Sequence, residues 1–150
     1  MSNVAKTKFV TETTKTGVNR NASTITKDRL VCAGTPTGSE LAIDGTNAGS
    51  VNTILGAIQE DVETGKSVTL FGQGSIVQLE SDGSGTIAFG ADVVAVAGAS
   101  LAASGRVKTL PGSTGTHIKV GKSVSPSTIA ATAGAKVLVE LCQPTPVYVP

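Results

Sequence analysis

Residues 55–80 read LGAIQEDVETGKSVTLFGQGSIVQLE, and they open a stretch ending at Leu141 in which glycine repeatedly interrupts short apolar alternations. The recurring unit is a glycine, two variable residues, a β-branched residue, one spacer and another apolar residue. It occurs, once with an extra residue, at Gly65/Val68/Leu70, Gly90/Val93/Val96, Gly115/Ile118/Val120 and Gly134/Val137/Val139. Such alternation predicts half-buried strands, and turn signals spaced about 8–12 residues apart are typical of a sandwich or barrel. We therefore predict an all-β fold, a compact β-barrel or sandwich of short strands with at most one short helix.

Individual strands follow from the same pattern. The alternating segments predict strands over residues 55–59, 67–71, 75–80, 86–89, 93–97, 105–110, 117–120, 123–124 and 136–141. Asp82-Gly83 predicts a hairpin loop over residues 81–85. Two alanine-rich segments, residues 97–104 and 128–134, are either short helical turns or the tight corners of a barrel.

The chain before residue 55 is harder to interpret. LVCAG (30–34) is an apolar run that ends in a turn cluster, and SELAI (39–43) predicts a further strand. Asp44-Gly45 is a common tight-turn pair and predicts a turn after that strand.

The first 30 residues differ from the rest in charge and composition. They carry six basic and two acidic residues, a balance of +4, whereas the remaining 120 carry six basic and nine acidic residues, a balance of −3. They are rich in Thr, Asn and Lys, and too poor in large apolar groups to fold alone. Residues 1–29 are therefore either an extended arm that pairs with the sheet edge of another protein or a solvated, disordered tail. Phe9 and Val10 are the expected anchor of a docking arm.

The sequence thus divides into an arm (1–29), a β body (30–143) and a proline-rich tail (144–150). Proline cannot donate to a strand ladder, so the tail is expected to be an edge or a surface strap. Tyr148, between two valines, is its expected contact point. The predicted contacts with a partner protein or a neighbouring protomer are Val4, Lys6, Lys8, Phe9, Val10, Arg20 and Tyr148.

Composition limits the classes of function. Aromatic residues make up 3% of the chain, tryptophan is absent, and 18 residues are glycine, so small aliphatic side chains must fill the core. A monomer of this kind is expected to be marginally stable, which favours oligomerisation or docking on a partner. A net charge of +1 argues against a bulk nucleic-acid binder. The sequence has no apolar run of about 18 residues and no secretory h-region near its start, so we expect neither a membrane span nor export.

The sequence offers no catalytic or metal-binding set, and we predict neither an enzyme nor a cofactor. Cys32 and Cys142 are too far apart in sequence for metal-ligand spacing. They are either a disulfide or, as we favour without an export signal, two free thiols. His117 is the only histidine, and its place in an alternating segment predicts the polar face of a strand.

Two short motifs resemble the end of a phosphate-binding loop. Residues 65–67 and 121–123 both read Gly-Lys-Ser, but Glu60 and Thr116 stand where the motif needs its first glycine. A Gly-x-Gly at residues 83–85 lies in a predicted loop rather than between a strand and a helix. An acidic cluster at residues 60–63 is read as a solvated turn, or as a charged rim that meets the basic arm of a neighbour.

The order of these segments resembles the head decoration (cement) proteins of tailed bacteriophages, small capsid-binding proteins with a β-tulip type body. The resemblance covers about residues 55–141. The matching residues are Gly56-Ala57, Gly65, Val68, Leu70, Gly74, Gly90, Val93, Gly105-Arg106-Val107, Val120-Gly121, Gly134, Val137, Val139 and Leu141. The first 50 residues depart from the family pattern because they are longer than those of its shortest members.

The resemblance implies a location on the virion, at the outer surface of the capsid. There it implies binding to the major capsid protein, commonly as a homotrimer at three-fold positions, without direct contact with nucleic acid or a membrane. Family members often use an extended N-terminal arm to add a strand to a capsid-protein element. The alternatives are a tail or fibre component, or an adhesive surface module.

Overall fold

The computed structural model describes residues 14–35, 38–45, 54–98 and 103–150. Within these ranges every regular element is a strand. The strands are β1 (Thr14–Asn19), β2 (Arg29–Ala33), β3 (Ala42–Gly45), β4 (Ile54–Ile58), β5 (Ser67–Phe71), β6 (Ile76–Glu80), β7 (Asp92–Ala95), β8 (Val107–Thr109), β9 (Gly115–Ser123) and β10 (Lys136–Val149). The predicted all-β fold is confirmed, and the described parts of both alanine-rich segments are not helical.

The first five strands form a closed barrel in the order β1-β3-β2-β4-β5, with β5 returning to β1. β1 runs antiparallel to β5, from Thr14 opposite Phe71 to Val18 opposite Ser67, and it runs parallel to β3. Ile25 adds an isolated bridge to Val62. Residues 14–29 are therefore part of the barrel, which corrects the predicted arm over residues 1–29.

The last five strands form a second sheet in the order β6-β10-β9-β7-β8. Its hydrogen-bonded neighbours are all antiparallel. Ser81, one residue after β6, makes a parallel bridge to Val107 in β8. Because β6 and β8 are the two edges of this sheet, the bridge shows that the sheet curls until its edges approach each other.

The pairing corrects two further predictions and decides a third. Asp44 and Gly45 lie in β3 rather than in a turn after it. Residues 81–85 do not close a hairpin, because β6 pairs with β10 and the segment after the loop makes only the bridge from Ile87 to Ile129. The tail, predicted as an edge or a surface strap, is the second half of β10 and pairs with β9 as far as Val149, so it is an edge.

The apolar core falls into two clusters. One lies inside the barrel and comprises Ile25, Val31, Ile43, Ile58, Val62, Val68 and Leu70. The other fills the curl of the second sheet, and Leu30 and Ala57 from the barrel wall also belong to it. The barrel therefore packs its β2–β4 wall against the sheet. The two cysteines do not form a disulfide with each other, as favoured, and Cys32 is buried whereas Cys142 is half-buried. The described ranges contain no helix of the length and apolarity that crossing a bilayer requires.

Candidate interaction surfaces

The predicted contact residues do not form one cluster. Val4, Lys6, Lys8, Phe9 and Val10 lie outside the described residues. Arg20 directly follows β1, is exposed, and makes an ion pair with Glu40 of the same barrel. Tyr148 lies in β10 of the second sheet, opposite Thr116, and 66% of its surface is exposed. No hydrogen bond or ion pair connects Arg20 and Tyr148 in the described chain, so the two belong to separate surfaces.

Tyr148 belongs to a two-stranded ribbon, which we define as residues 115–118 of β9 with residues 146–149 of β10. β6 pairs with β10 only as far as Glu140, and β7 pairs with β9 only from Lys119 onward. A register shift between Leu141 and Thr145 marks where β10 passes into the ribbon. Within the described chain, the ribbon thus consists of β9 and β10 alone, and no third strand pairs with either outer edge.

The two outer edges of the ribbon differ because of the prolines. Opposed residues in an antiparallel pair alternate between hydrogen-bonded and non-bonded positions. Pro146 has no N–H, so its pairing with Ile118 must be a non-bonded one, and so must the pairing of Tyr148 with Thr116. These four residues therefore direct their backbone groups away from the partner strand. The β10 edge lacks a donor at Pro146, whereas the β9 edge presents the N–H and C=O groups of Thr116 and Ile118.

A second exposed feature is apolar and lies on the outer face of the sheet. Ile76 in β6 pairs with Glu140, and Leu138 in β10 pairs with Gln78, so the two apolar residues are diagonal neighbours on one face. They are 63% and 39% exposed. Phe89, 70% exposed, precedes a glycine whose N–H donates to the Ser123 carbonyl at the neighbouring strand β9.

A charged seam joins the barrel to the sheet, and we define it as Asp28, Arg29, Glu80, Arg106 and Lys136. Glu80 Oε2 accepts from Arg29 at 2.7 Å and from Arg106 at 3.2 Å, and its Oε1 accepts from Lys136 at 2.9 Å. Lys136 also donates to Asp28 Oδ2 at 2.8 Å. Asp28 has a φ of 60°, in the left-handed region that Asp adopts more readily than most residues.

Backbone bonds reinforce this seam. The N–H of Glu80 donates to the Asp28 carbonyl at 3.0 Å, and the N–H of Leu30 donates to the Gly105 carbonyl at 2.9 Å. A Cβ on Gly105 would lie 2.5 Å from the Leu30 carbonyl oxygen, and its φ is +75°, so only glycine allows this approach. The seam therefore holds the two units in a fixed relation.

The seam shifts the pKa values of Glu80 and Lys136. Burial alone would raise the pKa of Glu80, but the hydrogen bond from Lys136 and the charge of Arg29 outweigh it and hold that pKa below its usual value. Burial would lower the pKa of Lys136, yet the hydrogen bonds to Asp28 and Glu80 raise it overall. Sequence reasoning missed the seam, because Lys136 and Asp28 are 108 residues apart and no local motif marks them.

The remaining polar candidates have structural partners in the chain itself. Asp61, in the exposed acidic turn, accepts the backbone N–H of Lys27 at 2.8 Å. Lys122 of the second Gly-Lys-Ser lies in β9, with its Nζ 3.5 Å from Asp92. His117 is half-buried, with Nε2 3.5 Å from the Ser113 carbonyl oxygen. Over the described ranges no three His, Cys, Asp or Glu side chains converge in a way that could hold a metal ion.

The described surface thus offers binding features rather than a converged set of reactive groups. They are an open β9 edge beside an exposed tyrosine, and a small apolar patch on the same sheet. No protein-family model matches the sequence, and no curated protein matches it either.

Proposed function

We propose that this protein is a capsid decoration (cement) protein that binds the outer surface of a phage head and stabilises the lattice of the major capsid protein. The observation that carries the proposal is the ribbon. It presents unpaired backbone groups at Thr116 and Ile118 and the exposed ring of Tyr148 on a body fixed by the charged seam. An open strand edge with an aromatic side chain beside it suits recognition by strand addition.

The proposed partners are the major capsid protein and two further copies of this chain in a homotrimer, without direct contact with nucleic acid or a membrane. The exposed neighbours Ile76 and Leu138 support self-association, because adjacent exposed apolar residues mark interaction sites. Val4, Lys6, Lys8, Phe9 and Val10 are proposed to extend the contact along the shell. Repetition over many copies makes a modest single contact sufficient.

Co-sedimentation with expanded, undecorated shells of the encoding phage tests the ribbon. Tyr148→Ala is expected to weaken shell binding about thirtyfold, the effect of removing an aromatic anchor of about 2 kcal/mol. Tyr148→Phe is the matched control and should bind within about threefold of wild type, because the ring remains. Wild-type occupancy by Tyr148→Ala would contradict a role for the ribbon.

Deletion of residues 2–12 tests the arm separately. The deletion must end before Thr14, because β1 closes the barrel against β5. The shortened chain should still unfold in one cooperative transition, because β1 stays in the barrel, and it should lose shell binding. Unchanged shell occupancy by the folded, shortened chain would remove the arm from the proposal.

The alternative is a tail or fibre component, or an adhesive surface module, and the open ribbon edge suits these as well. Binding to isolated tails, with none to expanded shells, would favour that alternative.

A further inference from the structure

A cavity of about 210 Å³ lies between the barrel and the second sheet. Buried apolar residues of both units, Leu30, Leu70, Val120 and Leu141, form part of its lining, and Gln73 and Gln143 add polar groups. Lys15 and Cys142 also line it. An apolar cavity of about 150 Å³ is large enough to bind benzene. This cavity is therefore large enough for one aromatic ring.

The chain enters the barrel beside this cavity. Thr14, the first residue of β1, is opposite Phe71, the last residue of β5, and the two strands are antiparallel. Residues before Thr14 therefore start on the side toward which the chain leaves β5. The residues that follow β5 there, Gly72 and Gln73, line the cavity. The N-terminal segment consequently begins at the cavity's rim.

Phe9 is the one aromatic residue before Thr14 in the sequence. It precedes Thr14 by five residues, and five residues span at most about 17 Å, so the ring can reach the cavity without moving β1. We propose that Phe9 of the same chain occupies the cavity in the free protein. The occupant fits in size and apolar character, and its tether starts at the right place.

This inference goes beyond the proposed function and does not depend on it, because it concerns the protein before it meets any partner. If the protein binds shells, withdrawal of Phe9 from the cavity frees the same ring for the capsid protein. If the protein fails to bind shells, the proposal that Phe9 occupies the cavity still stands. If the cavity is empty, the proposal that the protein binds shells still stands.

The thiol of Cys142 reports on the cavity without any added label. We would measure the rate of its modification by N-ethylmaleimide in the native full-length protein, by mass spectrometry of the peptide that contains it. Cys32 is an internal reference, because it is fully buried with its Sγ 3.4 Å from the Gly45 carbonyl oxygen. Phe9→Ala is expected to raise the rate at Cys142 about tenfold, as loss of local protection does. Thr11→Ala, the matched control, should leave it within about twofold.

Three results would overturn the proposal. One is an equal rate at Cys142 in wild type and Phe9→Ala. Another is an equal acceleration at Cys32, which would mean that the variant opens globally. The third is a wild-type rate that rises on dilution, which would assign the cavity to Phe9 of a second copy. A rate independent of protein concentration supports docking within one chain.

Discussion

The barrel and the second sheet are built from strands of similar composition, yet they differ in what they leave open. The barrel closes on itself and has no free edge, the arrangement that removes sites for unwanted strand pairing. In the sheet, β9 and β10 continue beyond their outer neighbours. Of the large apolar residues that the described surface exposes, only Leu41 is in the barrel, whereas the sheet and its loops hold Ile76, Phe89, Leu138 and Tyr148. The comparison indicates a division between a closed support and an open contact surface.

The largest expected effect comes from glycines where strands approach closely. A Cβ on Gly121 in β9 would overlap the Glu140 carbonyl oxygen, which is backbone, whereas a Cβ on Gly17 in the barrel would first meet the Ile43 side chain at 2.6 Å. Gly121→Ala should cost about 3 kcal/mol of unfolding free energy, and Gly17→Ala about 1–2 kcal/mol, because a side chain can shift. Gly112→Ala, with no atom within 4 Å, is the control. Denaturant unfolding measures all three, and equal losses at Gly121 and Gly17 would contradict this difference.

The next effect concerns the seam that joins the two units. Glu80→Gln leaves Arg29, Arg106 and Lys136 without their shared carboxylate, and the Glu80 side chain is only 16% exposed. We expect Glu80→Gln to lower the unfolding free energy by about 2–3 kcal/mol, which is less than the loss from breaking a fully buried ion pair. Glu140→Gln is the matched control, since Glu140 is exposed and makes no ion pair in the described chain. Similar unfolding free energies for Glu80→Gln and Glu140→Gln would contradict a stabilising role for the seam between the barrel and the sheet.

A smaller effect is the pH dependence of the same seam. The folded pKa of Glu80 lies below its ordinary value of 4.5, so its stabilisation is present above about pH 4.5 and is lost as the pH falls through the folded pKa. The folded pKa of Lys136 lies above 10.5, so its contribution is present below about pH 10.5 and is lost as the pH rises through the folded pKa. Unfolding free energies between pH 3 and 6 should show a shallower acid decline in Glu80→Gln than in wild type. Parallel declines would assign the acid sensitivity to other carboxylates.

Sequence periodicity predicted the strands from β4 onward better than the three strands before them. Strands such as β5 and β6 carry alternating buried valine and leucine, so their faces could be assigned locally. β1 carries only a buried Gly17, Val18 and Asn19 at its end, and its place depends on β3 and β5, which are distant in sequence.

The sequence predicts the tail as an edge or a surface strap but does not decide between the two. Pro146 is compatible with a long strand when its missing N–H faces an open edge, and only the register with β9 reveals which way it faces. The same register identified the β9 edge next to Tyr148, whereas the sequence marked Tyr148 alone. Charge composition likewise indicated a basic start of the chain but could not pair Glu80 with Arg29 and Lys136, since those contacts form only when the barrel meets the sheet.

A density map of expanded phage shells incubated with the full-length protein tests most directly whether the sheet provides the contact surface and the barrel its support. We predict density on the outer surface at three-fold positions, with the β9–β10 ribbon against the major capsid protein and the barrel away from it. Bare shells at saturating protein, or a particle in which the barrel makes the shell contact and the ribbon faces solvent, would contradict it.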